Sequence, residues 1–335
     1  MIQMKTEVAM KNFSIWKKIA ACVLFLNIVF TAFTTELLTP SVSAGELTMR
    51  GMGFGPALNI GPGSKIFNGG SLSLLSDYDN RQMLSMILQD KDGTLVVIDG
   101  GWDIDAAHLT EVLRSKGGHV SGWFITHPHS DHVGALVQIL ENPDSQITID
   151  NVYYSLADPA WYEKVEPSRN SMVSRLISAL ATLPAEKLHT VQKDQEIQLG
   201  QIKARVLNNP YLLDVTSVNN SSVAYKFFLN NVSILVLGDM GPEAGELLAA
   251  ERSAEDLKSD IVQMAHHGQY GVNQDVYAII KPQIALWPCP LWLWNNDNGG
   301  GIGTGDWKTL ETRKWMEGLG VKVNYSIKDG DQIIY

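Results

Sequence analysis

The stretch Thr126-His127-Pro128-His129-Ser130-Asp131-His132 sets the reading of the whole chain, because it packs three histidines and an aspartate into six residues. Just before it, residues 122–126 read as a short apolar strand feeding a turn. Just after it, residues 133–139 carry apolar side chains at helical spacing. In extended backbone, residues two apart point to one side, so His127 and His129 can chelate a single metal ion. Asp131 and His132 fall where the helix starts and can serve a second ion beside the first. Imidazole and carboxylate are zinc-type ligands, with manganese or iron as alternatives. A lone histidine would read as a core or surface residue, and Asp131 alone as a helix N-cap. Their density at one strand-to-helix turn points to metal instead.

Two further segments have the same character. Ala265-His266-His267-Gly268 also follows an apolar strand, at residues 260–264. Between the two histidine segments, Asp239 in Leu237-Gly238-Asp239 ends a strongly apolar strand, where a carboxylate can bridge two ions. Around these landmarks the chain alternates strands and helices. Residues 83–88 and 94–98 read as a hairpin turning at Lys91-Asp92-Gly93. Residues 223–229 and 232–237 read as a second one around Asn230-Asn231. Helical patterns occupy 104–113, 172–183, 242–251, 274–280 and 307–317, with strands at 152–155 and 284–287. Residues 321–335 are expected to close the chain with two strands around Asp329-Gly330. Helices and hairpins mixed through both halves call for an α/β fold, sheets sandwiched by helices in a single domain.

These motifs resemble the metallo-β-lactamase superfamily, in the His-x-His-x-Asp-His run, the later Gly-Asp and the His-His-Gly. Within it, Asn220-Ser221-Ser222-Val223, the hairpin, Gly238-Asp239 and His266-His267-Gly268 are similar to the hydrolase domain of competence DNA-uptake proteins, over residues 83–271. The resemblance implies a four-layer αββα sandwich, a two-metal site at one edge of the sheets, and hydrolysis by a metal-bridged hydroxide. Two cations about 3.5–4 Å apart would lower the pKa of a shared water and stabilise a developing oxyanion. Asp131 would orient that water. By the same resemblance, Asp99 of Asp99-Gly100-Gly101 matches a position that supports a ligand histidine.

One departure is visible. Many members have a histidine shortly before the bridging aspartate, whereas the nearest one here, His189, lies fifty positions upstream of Asp239. Asn219-Asn220-Ser221 occupies the expected place, as in the competence-type relatives. The first metal would then be held by His127, His129 and Asp239, with Asn220 or water completing the set, and it would bind more weakly or favour manganese. That departure argues against a true β-lactamase. For the second metal, Asp131 and His132 are joined by a histidine of the His-His pair. His266, first off the strand, is favoured as the ligand, with His267 as proton donor or supporting partner.

The remaining composition bounds partners and compartment. Lysines up to Lys17-Lys18, the apolar run 19–33 and Val42-Ser43-Ala44 follow the order of a secretory signal, so residues 1–44 are expected to be a signal peptide and 45–335 the folded domain. A retained N-terminal anchor is the alternative. The run is shorter than the roughly 18 apolar residues of a spanning helix. Cleavage removes four lysines and two glutamates, leaving 22 basic and 34 acidic residues, a net charge of −12, and Cys289 as the one cysteine. So acidic a chain is unfriendly to nucleic acid. A small-molecule substrate is expected, with no membrane contact after cleavage. Trp287, Trp292, Trp294, Trp307, Trp102 and Tyr270 cluster near the motifs and would either line an aromatic pocket or wedge a glycine-rich loop onto the core. The leading expectation is an exported metal-dependent hydrolase of a small phosphodiester or ester, using two divalent ions, zinc first and manganese second. A non-catalytic metal-stabilised envelope binding protein, or a β-lactamase or lactonase, are the alternatives.

Overall fold

A computed structural model describes residues 65–335. The expected signal peptide and the first residues after it lie outside the described residues, which belong to one compact unit. In chain order the strands are β1 (Ser71–Leu74), β2 (Ser85–Gln89), β3 (Leu95–Asp99), β4 (His119–Val120), β5 (Gly122–Phe124), β6 (Thr148–Ile149), β7 (Val152–Tyr154) and β8 (Leu188–Thr190). They continue as β9 (Glu196–Leu199), β10 (Ile202–Val206), β11 (Tyr225–Leu229), β12 (Val232–Val236), β13 (Ile261–Gln263), β14 (Ile284–Trp287), β15 (Val323–Ser326) and β16 (Gln332–Ile334).

Two seven-stranded sheets result, ordered β16-β1-β2-β3-β5-β7-β8 and β15-β14-β13-β12-β11-β10-β9, with β4 and β6 forming a small parallel pair. Each sheet joins three antiparallel pairings to three parallel ones. Strand periodicity decides which side chain enters which layer. Along β12, Val232, Ile234 and Val236 face the first sheet and join one core, while Leu235 joins a second core under the outer helices. Such strands are covered on both faces, so they read as continuous apolar runs. Phe124 of β5 meets Tyr225 and Phe227 of β11 edge-on, at ring centroids of 5.3 and 5.1 Å, and closes the inter-sheet layer. Helices Ala106–Ser115 and Ser130–Glu141 bury Leu109, Leu113, Val133 and Leu136 on the first sheet. Helices Pro242–Glu251, Gln274–Ile280 and Thr309–Gly318 bury Leu248, Val276, Tyr277, Ile280 and Met316 on the second. At about 1.5–3 kcal/mol for each large side chain taken from water, these two cores supply the driving force for the αββα sandwich.

Both hairpins form as read, with β2 antiparallel to β3 and β11 to β12. The closing strands form too, but not as a pair. β15 runs parallel to β14 in the second sheet, whereas β16 crosses to the first sheet and pairs with β1. A turn signal such as Asp329-Gly330 marks a change of direction and carries no information about the partner strand. The alternating stretch Glu196-Ile197-Gln198-Leu199 and Ile202-Lys203-Ala204-Arg205-Val206 makes a further hairpin that the sequence reading passed over. Among the described residues no helix is long and apolar enough to cross a membrane.

Candidate metal centre

Asp99 closes β3 in a left-handed conformation (φ 56°) and is fully buried. Its carboxylate accepts the Thr126 N–H at 2.8 Å and the Thr126 hydroxyl at 2.7 Å, which pins the turn after β5. The same carboxylate lies 2.7 Å from His132 Nδ1, so it also orients that ring. From Thr126 the chain leaves the strand through His127 and reaches His129 in extended geometry. His129 then sits at the N-cap of helix Ser130–Glu141, whose first turn presents Asp131 and His132.

Asp239 is delivered from the second sheet by the turn after β12. Gly238 is left-handed there (φ 57°), and a Cβ at that position would lie 2.8 Å from Ser222 Oγ and 2.9 Å from Thr126. Only glycine lets the two sheets approach so closely. The Asp239 N–H donates to Ser222 Oγ at 3.0 Å, and the Gln263 amide ties the Gly238 carbonyl to that of Met264. His266 and His267 follow β13 with two successive left-handed residues (φ 49° and 55°), a strained turn of the kind that concentrates at functional sites.

The turns converge on Asp239. Ligand atoms of Asp131, His132, Asp239 and His267 lie within 4.8 Å of one another, and so do those of His127, His129 and Asp239. His132 Nε2 is 3.2 Å from Asp239 Oδ1, and His267 Nε2 is 3.3 Å from Asp239 Oδ2 and 3.1 Å from Asp131. His127 Nε2 and His129 Nδ1 are 3.1 Å apart, close to the roughly 3.3 Å between two nitrogens of a tetrahedral zinc site. Buried His132 Nε2, Asp239 Oδ1 and His267 Nε2 make no hydrogen bond among the described residues. Unpaired buried polar atoms are costly, and three together on one carboxylate fit a divalent cation. The nitrogen and oxygen donors suit zinc or manganese.

Electrostatics agree. Burial pulls against ionisation of Asp239, yet His267, His132 and His266 hold it well below the usual carboxylate range. Asp131 is likewise lowered against its burial, chiefly through His267. Burial would neutralise His132, but Asp239 and Asp99 hold it well above its ordinary value. His267, against the same burial, is pushed up to about 9 by Asp239 and Asp131. His127, crowded by His132 and His129 and fully buried, is driven well below its normal value. Protons thus fill in for positive charge that the carboxylates call for.

The structure sorts the expected residues. It brings His127, His129, Asp131, His132, Asp239 and His267 together, with Asp99 behind His132. In the His-His pair it is His267, not His266, whose Nε2 faces both carboxylates, while its Nδ1 lies 3.0 Å from the Pro288 carbonyl. His266 Nε2 stands 3.9 Å from Asp239 and receives the Asn219 amide at 3.2 Å. Asn220 has both polar atoms of its side chain engaged away from the histidines. Its side chain accepts the Gly241 N–H and donates to the Val215 carbonyl, bracing the turn beyond Asp239. Two neighbours went unread: Glu166, 3.1 Å from His129 Nε2, and Asn219. His189 is engaged elsewhere, with Asn151. Cys289 is fully buried, its thiol raised to about 12 by burial. The tryptophans mostly wedge. Trp287 lies under Gly268, Trp292 Nε1 donates to the Asn80 carbonyl, and Trp294 is covered by Arg313 at 4.1 Å.

A sequence model described as the metallo-beta-lactamase superfamily matches residues 79–275, more than half of the chain. Among curated proteins, mitochondrial ribonuclease Z 2 of Schizosaccharomyces pombe is 22% identical over 200 residues, covering 56% of this chain and 28% of that relative. The chain thus spans little more than a quarter of the relative's length. Of solved structures, the metallo-beta-lactamase fold protein YhfI from Bacillus subtilis aligns with a TM-score of 0.47 and 11% identity, over 79% of this chain and 99% of that one. Zn2+-bound PqqB from Methylobacterium extorquens aligns with a TM-score of 0.48 and 9% identity over the same shares, 79% and 99%.

Proposed function

The chain belongs to the metallo-beta-lactamase superfamily, and from that premise we propose that it is an exported metal-dependent hydrolase of a small phosphodiester or ester. The observation that carries this reading is the single carboxylate of Asp239 standing between two groups of ligand atoms. His127, His129 and Asp239 would hold one divalent ion, and Asp131, His132, Asp239 and His267 the other, zinc first and manganese as the alternative. When bound, such a pair lowers the pKa of a shared water and polarises the bond to be cut.

The chain's own residues supply the rest. Asp131 lies beside His267 and Asp239 with a carboxylate kept ionised, so it can orient a water as well as hold an ion. Both nitrogens of His267 are committed, which leaves proton handling to His266. The Asn219 amide donates to His266 Nε2, so the proton of that ring sits on Nδ1, an atom with no partner among the described residues. Burial keeps the ring neutral. That Nδ1 is buried, so the ring could offer its proton to a substrate oxygen only once the His266–His267 turn uncovers it. Asn219-Asn220-Ser221 in place of a histidine supports the finer likeness to competence-type hydrolase domains, and the distant curated relative is by name a ribonuclease, an enzyme of phosphodiesters. The net charge of −12 after cleavage supports a small substrate over a nucleic acid. The signal-like residues 1–44 support export.

The test is turnover of a chromogenic phosphodiester by residues 45–335 with zinc or manganese, beside Asp131→Ala and a chromogenic cephalosporin. We expect metal-dependent phosphodiester cleavage, reduced by about a hundredfold or more in the variant, since the lost ligand contributes several kcal/mol to charge stabilisation. Cephalosporin cleavage alone, or turnover indifferent to Asp131, would overturn the reading.

A further inference from the structure

Each of the four imidazoles in the two ligand groups has its second nitrogen held by another group. His132 Nδ1 meets Asp99 at 2.7 Å, His267 Nδ1 meets the Pro288 carbonyl at 3.0 Å, and His127 Nδ1 meets the Thr126 hydroxyl at 3.1 Å. These three partners lie on the strands or turns that build the centre. The fourth does not. His129 Nε2 lies 3.1 Å from Glu166 Oε2, thirty-seven residues along the chain, where helix Pro159–Val165 ends against Pro167. Asp99 is fully buried, whereas the Glu166 side chain is 29% exposed.

Glu166 is not a loose surface acid. The following proline keeps its backbone out of the helical region (φ −149°, ψ 65°), and its N–H donates to the Tyr162 carbonyl at 2.9 Å, capping the helix. Tyr162 is buried with Val173 and Val218, and Val218 belongs to the short helix Ser217–Asn220 that carries Asn219. Arg169 Nε lies 3.6 Å from the other carboxylate oxygen. The carboxylate is therefore aimed by packing and by charge.

We propose that Glu166 is the positioning residue of the His127, His129 and Asp239 group, accepting the Nε2 proton of His129 so that Nδ1 presents its lone pair beside His127 Nε2. This rests on the two-cation reading above. An imidazole without such an acceptor divides its proton between both nitrogens, and the tautomer protonated on Nδ1 cannot ligate there. An acceptor that is also anionic makes the ring a better donor, an effect usually worth about 10–100-fold in metal affinity. Among the His, Cys, Asp and Glu side chains of the described residues the group has three donors, one of them shared with its neighbour, so it depends most on such support.

The experiment compares wild type, Glu166→Gln and Glu166→Ala across residues 45–335. Zn2+ alone, and separately Mn2+ alone, is titrated against a chromophoric chelator. Nitrogen NMR of the metal-free protein reads the His129 tautomer. Wild type should bind two ions unequally. Glu166→Ala should weaken the looser ion by about 10–100-fold, leave the tighter one unchanged and lose the single Nε2–H tautomer. Glu166→Gln should fall between, because its carbonyl still accepts the proton without the charge. It also carries the test should the alanine variant fail to fold. Two ions bound as in wild type by both variants would overturn the role of Glu166 alone. A single ion bound by wild type would overturn the two-cation reading and this proposal with it.

Discussion

The two ligand groups that share Asp239 are built to different standards. One has four protein donors, and its rings are backed by Asp99, fully buried, and by a backbone carbonyl of the loop before Cys289. The other has three, backed by a hydroxyl and by a carboxylate arriving on a separate helix. The first is fixed by the sheets themselves, and the second borrows its support from an excursion that the sheets do not require. A rigid group would hold an ion firmly, while a lighter one would give up its ion more readily. The difference teaches that the missing histidine before Asp239 is a change confined to one side of the centre.

The largest effect should come from removing what the two groups share. Asp239→Ala should abolish both binding events and lower turnover by about a thousandfold or more, the several kcal/mol a cation pair contributes. Metal content after dialysis checks it, and one ion retained would show that the groups are not joined through this residue. Asp99→Ala should act on one side only. It strands the Thr126 N–H, the Thr126 hydroxyl and the His132 N–H, so we expect a loss of about 3 kcal/mol in denaturant unfolding. The tighter ion should weaken by about 10–100-fold while the looser one is spared. Equal weakening of both would blur the contrast.

A smaller effect concerns pH. His267 is raised from 6.5 to about 9 in the folded, metal-free protein. A raised histidine stabilises fully below its unfolded value and ceases to do so as pH climbs through its folded one. Metal-free protein should therefore lose stability between pH 6.5 and about 9. Affinity for the second ion should rise over the same window, because His267 must shed its proton to ligate. Thermal melting with and without zinc reads both, and parallel pH profiles would contradict the assignment of His267 to the ligand set.

How much of this was legible depended on how local the signal was. His127, His129, Asp131 and His132 sit on one strand-to-helix turn, where spacing alone shows which side chains converge. Asp239 could be proposed only beside the two histidine motifs, because a carboxylate ending an apolar strand reads equally well as a turn residue by itself. The choice between His266 and His267 hung on two left-handed residues in a row, a backbone state that spacing does not encode. Glu166 was invisible because it reaches His129 through the packing of Tyr162 and the restriction before Pro167, neither of which marks a ligand shell. Likewise β15 and β16 read correctly as strands, while their separation into two sheets rested on partners more than two hundred residues away for β16.

The most direct measurement is a stepwise titration of metal-free residues 45–335 with Zn2+ against a competing chelator, counting ions and their affinities. Two ions per chain, one held distinctly more tightly than the other, are predicted by the four-donor and three-donor groups around Asp239. A single ion, or two of equal affinity, would contradict that architecture.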